Sequence, residues 1–546
     1  MNKRRWILLM VVVAGVSFAF TKPAERYFEI AKSLDIFATL FKEVNAHYVD
    51  EVEPKKLINT GIDNMLQSLD PYTNYIPEED LESFQILTTG QYAGIGALIN
   101  VVNNKTVVTY PYRDFPAYKA GIRVGDEIIS INGKNMIGKL PSDITSSLKG
   151  KARTEVDLKV RRAGVGDLSF KIKREKIFIN NISYFGMIGT NVGYVKLDEF
   201  TPGAAREVSD AVQALKAQGA QKLILDLRDN LGGLMHEGIN IVNLFIPKNQ
   251  EVVSTKGKVK EWNKTYTTLN NPLDTEIPLA VLTSEVSASA AEIVAGSLQD
   301  YDRAVLMGKK TFGKGLVQTT RELPFGAELK VTVAKYYIPS GRCIQALDYA
   351  HRNADGSVSK FADSLRSEFH TRGGRKVFDG NGIDPDVMVE DAYLGTLATA
   401  LIQQGLIFEY ASKYCGEHPT KPDLRTFRLS DAEYVKFTEW MKRQKFTYQT
   451  EVETTAQELT KAARQERYFS ELESDLNELQ KRIEANKAME LSKSKKEITE
   501  VLEQQIAFHY ALAEGEAEVS LPRDKTVGEA IKILSDANRY KAILAP

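Results

Sequence analysis

Between residues 177 and 390 the chain alternates apolar strand-like runs with amphipathic helical ones, and this alternation restricts the fold more than any other feature. GYVKLDEF leads to a helical stretch over AAREVSDAVQALKAQG, and the strand KLILDLRDN follows, then LGG and a helix over HEGINIVNLF. IPLAVLTS and SASAAEIVAGSLQD repeat the pair. Strand then helix, repeated, predicts a largely parallel sheet covered by helices with right-handed connections. Ligand sites in such sheets lie where strands hand over to helices. Asn230-Leu231-Gly232-Gly233 and Ser287-Ala288-Ser289 both fall at such handovers.

A chain of 546 residues exceeds what one core organises, and its character changes along its length. Residues 1–22 hold Lys3, Arg4 and Arg5 before the apolar run of residues 6–20. That pattern predicts export, as a signal peptide or an uncleaved membrane anchor, the run being shorter than the ~20 residues that cross a bilayer comfortably. Residues 23–88 are helical, with Tyr27, Ile30, Leu34, Phe37, Phe41 and Val44 on one face, until Pro71 and Pro77 break the pattern. Residues 89–176 change to short alternating segments, GIGALINVV, KTVVTYPY, GDEIISING, EVDLKVRR and LSFKIKR, with two helical turns between them. Five strands and two helices predict a small, partly open β domain of a kind that binds a ligand. Residues 391–546 are helical and charged, and the spacing of Phe469, Leu472, Leu476, Leu479 and Ile483 is too short a run for a coiled coil. A formal net charge of −1 gives no sign of a nucleic-acid partner. Cys343 and Cys415, the two cysteines, make no disulfide framework and are expected free.

The handover residues carry the chemistry. Ser289-Ala-Ala-Glu292 is a capping box, and a serine before an apolar helix is ordinarily a cap. The two roles are compatible, because the first N–H groups of the helix and its dipole would stabilise an oxyanion beside that serine. DLRDNLGG, residues 226–233, ends a strand in a tight turn, and paired glycines let bare backbone N–H groups approach a substrate carbonyl. Lys314 stands between Gly313 and Gly315 among Phe312, Leu316 and Val317. Burial favours the neutral amine, which can take a proton from a serine hydroxyl. Gln318 could hold that amine without a counter-charge. Two rivals compete: Gly308 to Lys314 matches the start of a phosphate-binding loop, but Gly315 stands where Ser or Thr should ligate magnesium. His236 follows the glycine pair and is the alternative base. No metal-ligand spacing and no cofactor motif is visible.

DLRDNLGG, SASAAEIVAGSLQD, GKKTFGKGLVQ and YYIPSGRCIQ together resemble the carboxy-terminal processing peptidases, the tail-specific serine proteases of family S41, over about residues 35–390. The resemblance implies a multidomain α/β fold: a crotonase-like protease core at 177–390, an inserted PDZ β domain at 89–176, and flanking helical regions at 23–88 and 391–546. It implies Ser289 as nucleophile, Lys314 as general base and Gln318 as the support of the lysine. The oxyanion hole would come from the N–H groups of Gly233, in preference to Gly232, and of Ala290. AYKAGIRVGDEIISING is similar to a run in PDZ domains of this family, and Tyr92, Ala93, Gly94, Ile95 and Gly96 would form the loop receiving a terminal carboxylate. The expected activity is an exported Ser/Lys endopeptidase, of a bacterial periplasm or the periplasmic face of the inner membrane. Its substrates would be proteins or peptides with free C-termini; an adaptor or homo-oligomer stays open. The alternative is a non-catalytic PDZ peptide-binding protein or chaperone on the same scaffold. Residues 346–382 are longer than the connection expected before GIDPDV, and the helical extension lies outside the resemblance.

Overall fold

The computed structural model describes residues 27–361, 364, 366–390 and 394–546, so the segment read as a signal peptide or anchor lies outside the described residues. Among the described residues no helix is long and apolar enough to cross a membrane. The chain divides into two units: residues up to Tyr75 with Thr320–Val331, and Ile76–Thr319 with Thr332–Pro546.

In the first unit a helix spans residues 27–47 and a second spans Pro54–Gln67, with proline where the first turn has no use for its N–H. Asp70 then accepts from the N–H groups of Tyr72 and Thr73, at 2.8 Å each, and closes the LDPYT turn. The apolar positions Tyr27, Ile30, Leu34 and Phe37 are helical as their spacing predicts, but their side chains are exposed. Thr320–Val331 is the tip of a hairpin between strands Leu316–Glu322 and Glu328–Tyr337.

The second unit begins its β domain with Gln91–Gly94 paired antiparallel to Glu175–Phe178, a two-stranded neck. Between them Ala97–Val102, Lys105–Pro111, Glu127–Ile131, Glu155–Arg162 and Gly166–Lys173 form a sheet in that order. Its core gathers Val108, Ile128, Val156, Leu158 and Val160 around Ile144 of helix Pro141–Leu148.

The strand-helix block forms a six-stranded sheet: β1 (Ile182–Ile188), β2 (Val192–Leu197), β3 (Lys222–Asp226), β4 (Leu279–Thr283), β5 (Val305–Gly308) and β6 (Val387–Met388). β1 is antiparallel to β2, and the rest run parallel in sequence order. Helices α1 (Ala204–Ala217), α2 (Met235–Phe245) and α3 (Ala290–Asp300) connect β2 to β5. Successive right-handed crossovers that move one strand at a time in one direction put every connecting helix on the same face. Leu223, Leu225, Leu279 and Val281 pack there with Val208, Val212, Ile241, Val242, Ile293 and Val294.

The alternate residues Ile224, Ala280 and Leu282 point to the opposite face, where no crossover helix is left to cover them. Two C-terminal helices do so: α4 (Lys525–Ser535) sets Val527, Ala530, Ile533 and Leu534 against that face, and in α5 (Ala537–Leu544) the Tyr540 hydroxyl bonds both backbone groups of Leu279. Asp524 accepts from Val527 N–H at 2.9 Å to cap α4 and pairs with Arg228 at 2.8 Å. The end of the region expected to be an extension is therefore a layer of the sheet domain. Before it, Leu397, Leu401, Tyr410, Phe437, Leu502 and Ile506 share a separate helical core. Glu451–Gln465 and Phe469–Ala488 lie as an antiparallel pair, with Lys487 against Glu453. Cys343 and Cys415 are both free.

Burying a large aliphatic side chain contributes roughly 1.5–3 kcal/mol, and a domain has only ~5–15 kcal/mol in hand. A chain ending at residue 523 would expose Ile224, Leu282, Val305 and Met307 together. It is expected to be insoluble or to melt at least 10 °C lower; a soluble truncation with the melting temperature of the full chain would show that α4 and α5 are dispensable.

Candidate active site

Three strand ends meet here. β3 runs into Leu227–Gly233, β4 into Ser284–Ser289 and β5 into Lys309–Gly315. Side-chain and backbone hydrogen bonds join the first two loops. The Ser287 hydroxyl donates to Leu227 O at 2.7 Å, Ser284 Oγ accepts from Asp229 N–H at 2.9 Å, and Ala288 N–H donates to Asn230 O at 2.9 Å. Asn230 is fully buried and reaches back to Leu197 O at 2.7 Å. Below them Asp226 is fully buried; burial alone would raise its carboxyl, but Arg228 and Lys196 outweigh this and hold it at about 2.

Ser289 is the N-cap of α3, at φ +56° and ψ −115°, a conformation costly for any residue with a Cβ. Both its backbone groups are held. The N–H donates to Glu292 Oε2 at 2.9 Å, and the carbonyl accepts from Ile293 N–H at 2.9 Å and from the Tyr336 hydroxyl at 3.1 Å.

Glu292 does more than complete a capping box. Its carboxylate also accepts from Thr311 Oγ1 at 2.5 Å, Gly313 N–H at 2.8 Å and Lys314 N–H at 2.9 Å. Ser289 and Lys314, twenty-five residues apart in sequence, thus hang from the same oxygen, Oε2. Burial pushes this carboxyl up to about 7, against the pull of its donors Thr311, Lys314, Ser289 and Gly313. The lysine loop is pinned further: Gly313 O accepts from Ala346 N–H at 2.9 Å, Gly315 N–H donates to Gln345 Oε1 at 2.8 Å, and Gly315 O accepts from Tyr336 N–H at 3.0 Å. The YYIPSGRCIQ stretch supplies Tyr336 and Gln345 for this. Lys314 itself is half-buried, and Gln318 donates to Thr332 Oγ1 at 3.2 Å.

The glycine pair separates in its details. Gly232, at φ +92°, donates its N–H to Asn230 Oδ1 at 2.8 Å, so that group is already used. Its bare Cα faces the serine: a methyl at 232 would stand 2.7 Å from Ser289 Cβ and 2.9 Å from Ala290 N, far inside contact distance. Gly233, at φ +148°, lies against Phe200. Among the described residues neither the Gly233 nor the Ala290 N–H has an acceptor.

The rivals fare differently. His236 is 64 % exposed, its ring nitrogen 3.6 Å from Glu237, and Glu237 is occupied in accepting from Gly203 and Ala205 N–H at the start of α1. The segment resembling a phosphate loop leads into the strand Leu316–Glu322 and opens no helix.

In the β domain, Tyr92, Ala93 and Gly94 are not loop residues. They are paired with Ile177, Lys176 and Glu175 in the neck, because alternation continues to the strand that closes the domain. Only Ile95 and Gly96 turn the chain into Ala97–Val102, and among the described residues their N–H groups have no acceptor. Ala97–Val102 is an edge strand, paired only with Lys105–Pro111 among the described residues, beside helix Pro141–Leu148. Burial raises the Tyr92 hydroxyl to about 12, partly offset by the backbone hydrogen bond at Ala97.

Asn230, Glu292, Tyr336 and Gln345 organise this site; all four lie in stretches the sequence singled out, but only Glu292 had a role readable there, from its three-residue spacing from Ser289. Glu292→Gln should test the shared carboxylate. Whichever way the amide is turned, at least one backbone N–H would face an NH2, at a cost of about 1–3 kcal/mol. A denaturation midpoint equal to wild type would remove Glu292 from the framework.

Residues 191–350 match the family model "Peptidase family S41", residues 107–162 a "PDZ domain", and residues 397–534 "Probable PDZ-protease, C-terminal helical domain". A probable CtpA-like serine protease of Staphylococcus aureus (strain COL) is 36 % identical over 346 residues, 62 % of this chain and 68 % of that protein. The carboxy-terminal processing protease CtpA of Bacillus subtilis (strain 168) is 35 % identical over 305 residues, 56 % of this chain and 65 % of that one. Among solved structures, the photosystem II D1 C-terminal processing protease is 26 % identical and covers 69 % of this chain and 97 % of its own, with a TM-score of 0.36. On the identity with the staphylococcal protein and its extent, the chain belongs to peptidase family S41, the CtpA-like serine proteases.

Proposed function

We propose that Ser289 is the nucleophile of this peptidase, Lys314 its general base, and the Gly233 and Ala290 N–H groups its oxyanion hole, on a crotonase-like core. The observation that carries this reading is the shared Glu292 carboxylate, which holds the backbones of Ser289 and Lys314 to one point. Lys314 as the free amine takes the Ser289 proton, and Oγ attacks the peptide carbonyl. The carbonyl oxygen becomes an oxyanion held by the two N–H groups. The lysine ammonium then protonates the leaving amine, and water enters by the same route in reverse to release the acyl group. Gln318, four residues after Lys314, acts as its support.

The substrates we propose are protein tails with free C-termini. The N–H groups of Ile95 and Gly96 would receive the terminal carboxylate, and the open edge of Ala97–Val102 would take the tail as an added strand. The domain limits 89–176, 177–390 and 391–546 belong to this proposal, with α4 and α5 serving the core. So does export by residues 1–22, as a signal or anchor into the periplasm. The exposed apolar face of helix 27–47 supports a homo-oligomer or adaptor contact.

Cleavage of an unfolded protein with a free C-terminus, read by mass spectrometry, tests the dyad. Ser289→Ala and Lys314→Ala should each lose at least 10³-fold in rate while remaining folded; near-normal cleavage by Lys314→Ala would reject the base. Gly232→Ala should be comparably inactive, since its methyl would fill the space between Ser289 and Ala290. Because the base must be neutral, the rate should fall as pH drops below the lysine pKa, and a flat acid limb would contradict the assignment. Amidating the substrate C-terminus should raise KM with little change in kcat; equal KM values would dismiss the carboxylate-binding turn.

A further inference from the structure

Tyr336 sits where the two halves of the site meet, and the mechanism above does not use it. It lies on strand Glu328–Tyr337, opposite Thr255 of strand Glu251–Gly257, and is 1 % exposed. Its backbone N–H holds Gly315 O in the lysine loop at 3.0 Å, and its hydroxyl donates to Ser289 O at 3.1 Å. The hydroxyl does not face the reacting atoms. It holds the far side of the peptide that follows the nucleophile.

That peptide is rigid and trans, so the Ser289 carbonyl and the Ala290 N–H point in opposite directions. Fixing the carbonyl inward fixes the N–H outward. The outward direction is toward Gly232, whose missing side chain leaves the Ala290 nitrogen uncovered. The bond from Ile293 N–H to Ser289 O is the first bond of the helix and would form in any helix start. It leaves one lone pair of the carbonyl, and the phenol takes it. We propose that Tyr336 is a positioning residue of the oxyanion hole: by holding the Ser289 carbonyl from the core, it aims the Ala290 N–H at the developing oxyanion. Burial, with Glu292 and Cys343 nearby, raises the phenol well above its ordinary value, so it stays a donor across the working range.

The inference rests on Ser289 as nucleophile and Ala290 as oxyanion donor. Tyr336→Phe in the full chain removes the hydroxyl alone. Loss of a whole oxyanion donor costs about 10²–10³ in kcat, so a misaimed one should cost about 10- to 100-fold. KM should stay within about twofold, and the acid limb of the pH profile should not move, because the base is untouched. Affinity for a peptide boronate, which forms a tetrahedral adduct on Ser289, should fall by the same factor as kcat/KM. Binding of the intact peptide should be equal in Ser289→Ala and Ser289→Ala/Tyr336→Phe. A role in packing alone would instead lower the melting temperature and leave boronate affinity in step with peptide affinity. As a second variant, Tyr336→4-aminophenylalanine keeps a donor at the ring tip and should recover most of the rate.

A kcat within threefold of wild type in Tyr336→Phe, or a lower kcat with unchanged boronate affinity, would overturn the proposal. If Tyr336→Phe does not fold, the 4-aminophenylalanine variant decides it: wild-type boronate affinity supports the hydrogen bond, and weakened affinity in a folded protein rejects it. Cleavage that survives Ser289→Ala would reject the underlying reading itself. Cleavage lost in Ser289→Ala but unaffected in Tyr336→Phe would reject only the role of the tyrosine.

Discussion

The buried Glu292 carboxylate is the interaction on which the rest of the site depends. Removing a carboxylate from water is expensive, and an unpaired one would simply take up a proton. Glu292 offsets that cost with four donors from two separate segments: Ser289 at the head of α3, and Thr311, Gly313 and Lys314 in the loop after β5. None of the donors is a cation. A positive partner would form an ion pair at one point, whereas three backbone N–H groups and a hydroxyl fix the course of two chain segments at once. Thr311 extends the arrangement by accepting from Ile383 N–H at 2.8 Å with the same hydroxyl. The position of the lysine loop therefore follows from the helix that begins at the serine.

The same site draws on distant parts of the chain. Asp226 closes β3 and holds Arg228, and Arg228 reaches Asp524 at the start of α4. The ion pairs Asp226–Arg228–Asp524 run from directly beneath the glycine loop to the helix that covers the open face of the sheet. Arg228 thus divides its guanidinium between the end of β3 and the cap of α4, and the loop carrying Gly232 and Gly233 is linked through it to residues nearly three hundred positions later. The helical region consequently cannot be regarded as an appendage. Its last two helices complete the sheet, and its middle holds the β domain through Lys105–Glu409 at 3.1 Å and Arg113–Glu514 at 2.7 Å.

What could be read from the sequence was whatever is local. Leu223-Ile224-Leu225 is apolar without alternation because both faces of β3 are buried, and the strand-helix period placed Ser289 and the glycine pair in the loops after strand ends, where the structure has them. The origin of the second covering layer was not readable: its apolar face in α4 is periodic like any other helix, and nothing in the period names the sheet it covers. Tyr92 to Gly94 were read as part of a carboxylate-receiving loop from the resemblance, and nothing local shows that they pair with Glu175–Phe178 far along the chain. Tyr27 to Phe37 have the spacing of a core face, and that spacing is the same whether the face is buried or exposed. Asn230, Gln345 and Tyr336 lie within motifs visible in the sequence, but their roles rest on hydrogen bonds to residues distant in sequence that exist only in the folded state.

The strained backbone of Ser289 shows how these contacts combine. A residue with a Cβ at φ +56° and ψ −115° costs about 1–3 kcal/mol. Each intramolecular hydrogen bond offsets about 0.5–1.5 kcal/mol, and three of them meet on this one residue: Glu292 on the N–H, Ile293 and Tyr336 on the carbonyl. Their sum is of the same order as the strain, and of the three the Tyr336 bond is the one that an ordinary helix start does not supply. A relaxed helical or extended Ser289 would turn the following peptide and move the Ala290 N–H away from the space left by Gly232. A positioned oxyanion donor is worth about 2.7–4 kcal/mol in the transition state, at or above what the strain consumes. On this reading the distortion at Ser289 is the means by which an ordinary helix start is converted into half of an oxyanion hole, and the glycine at 232 is the space into which that half must point.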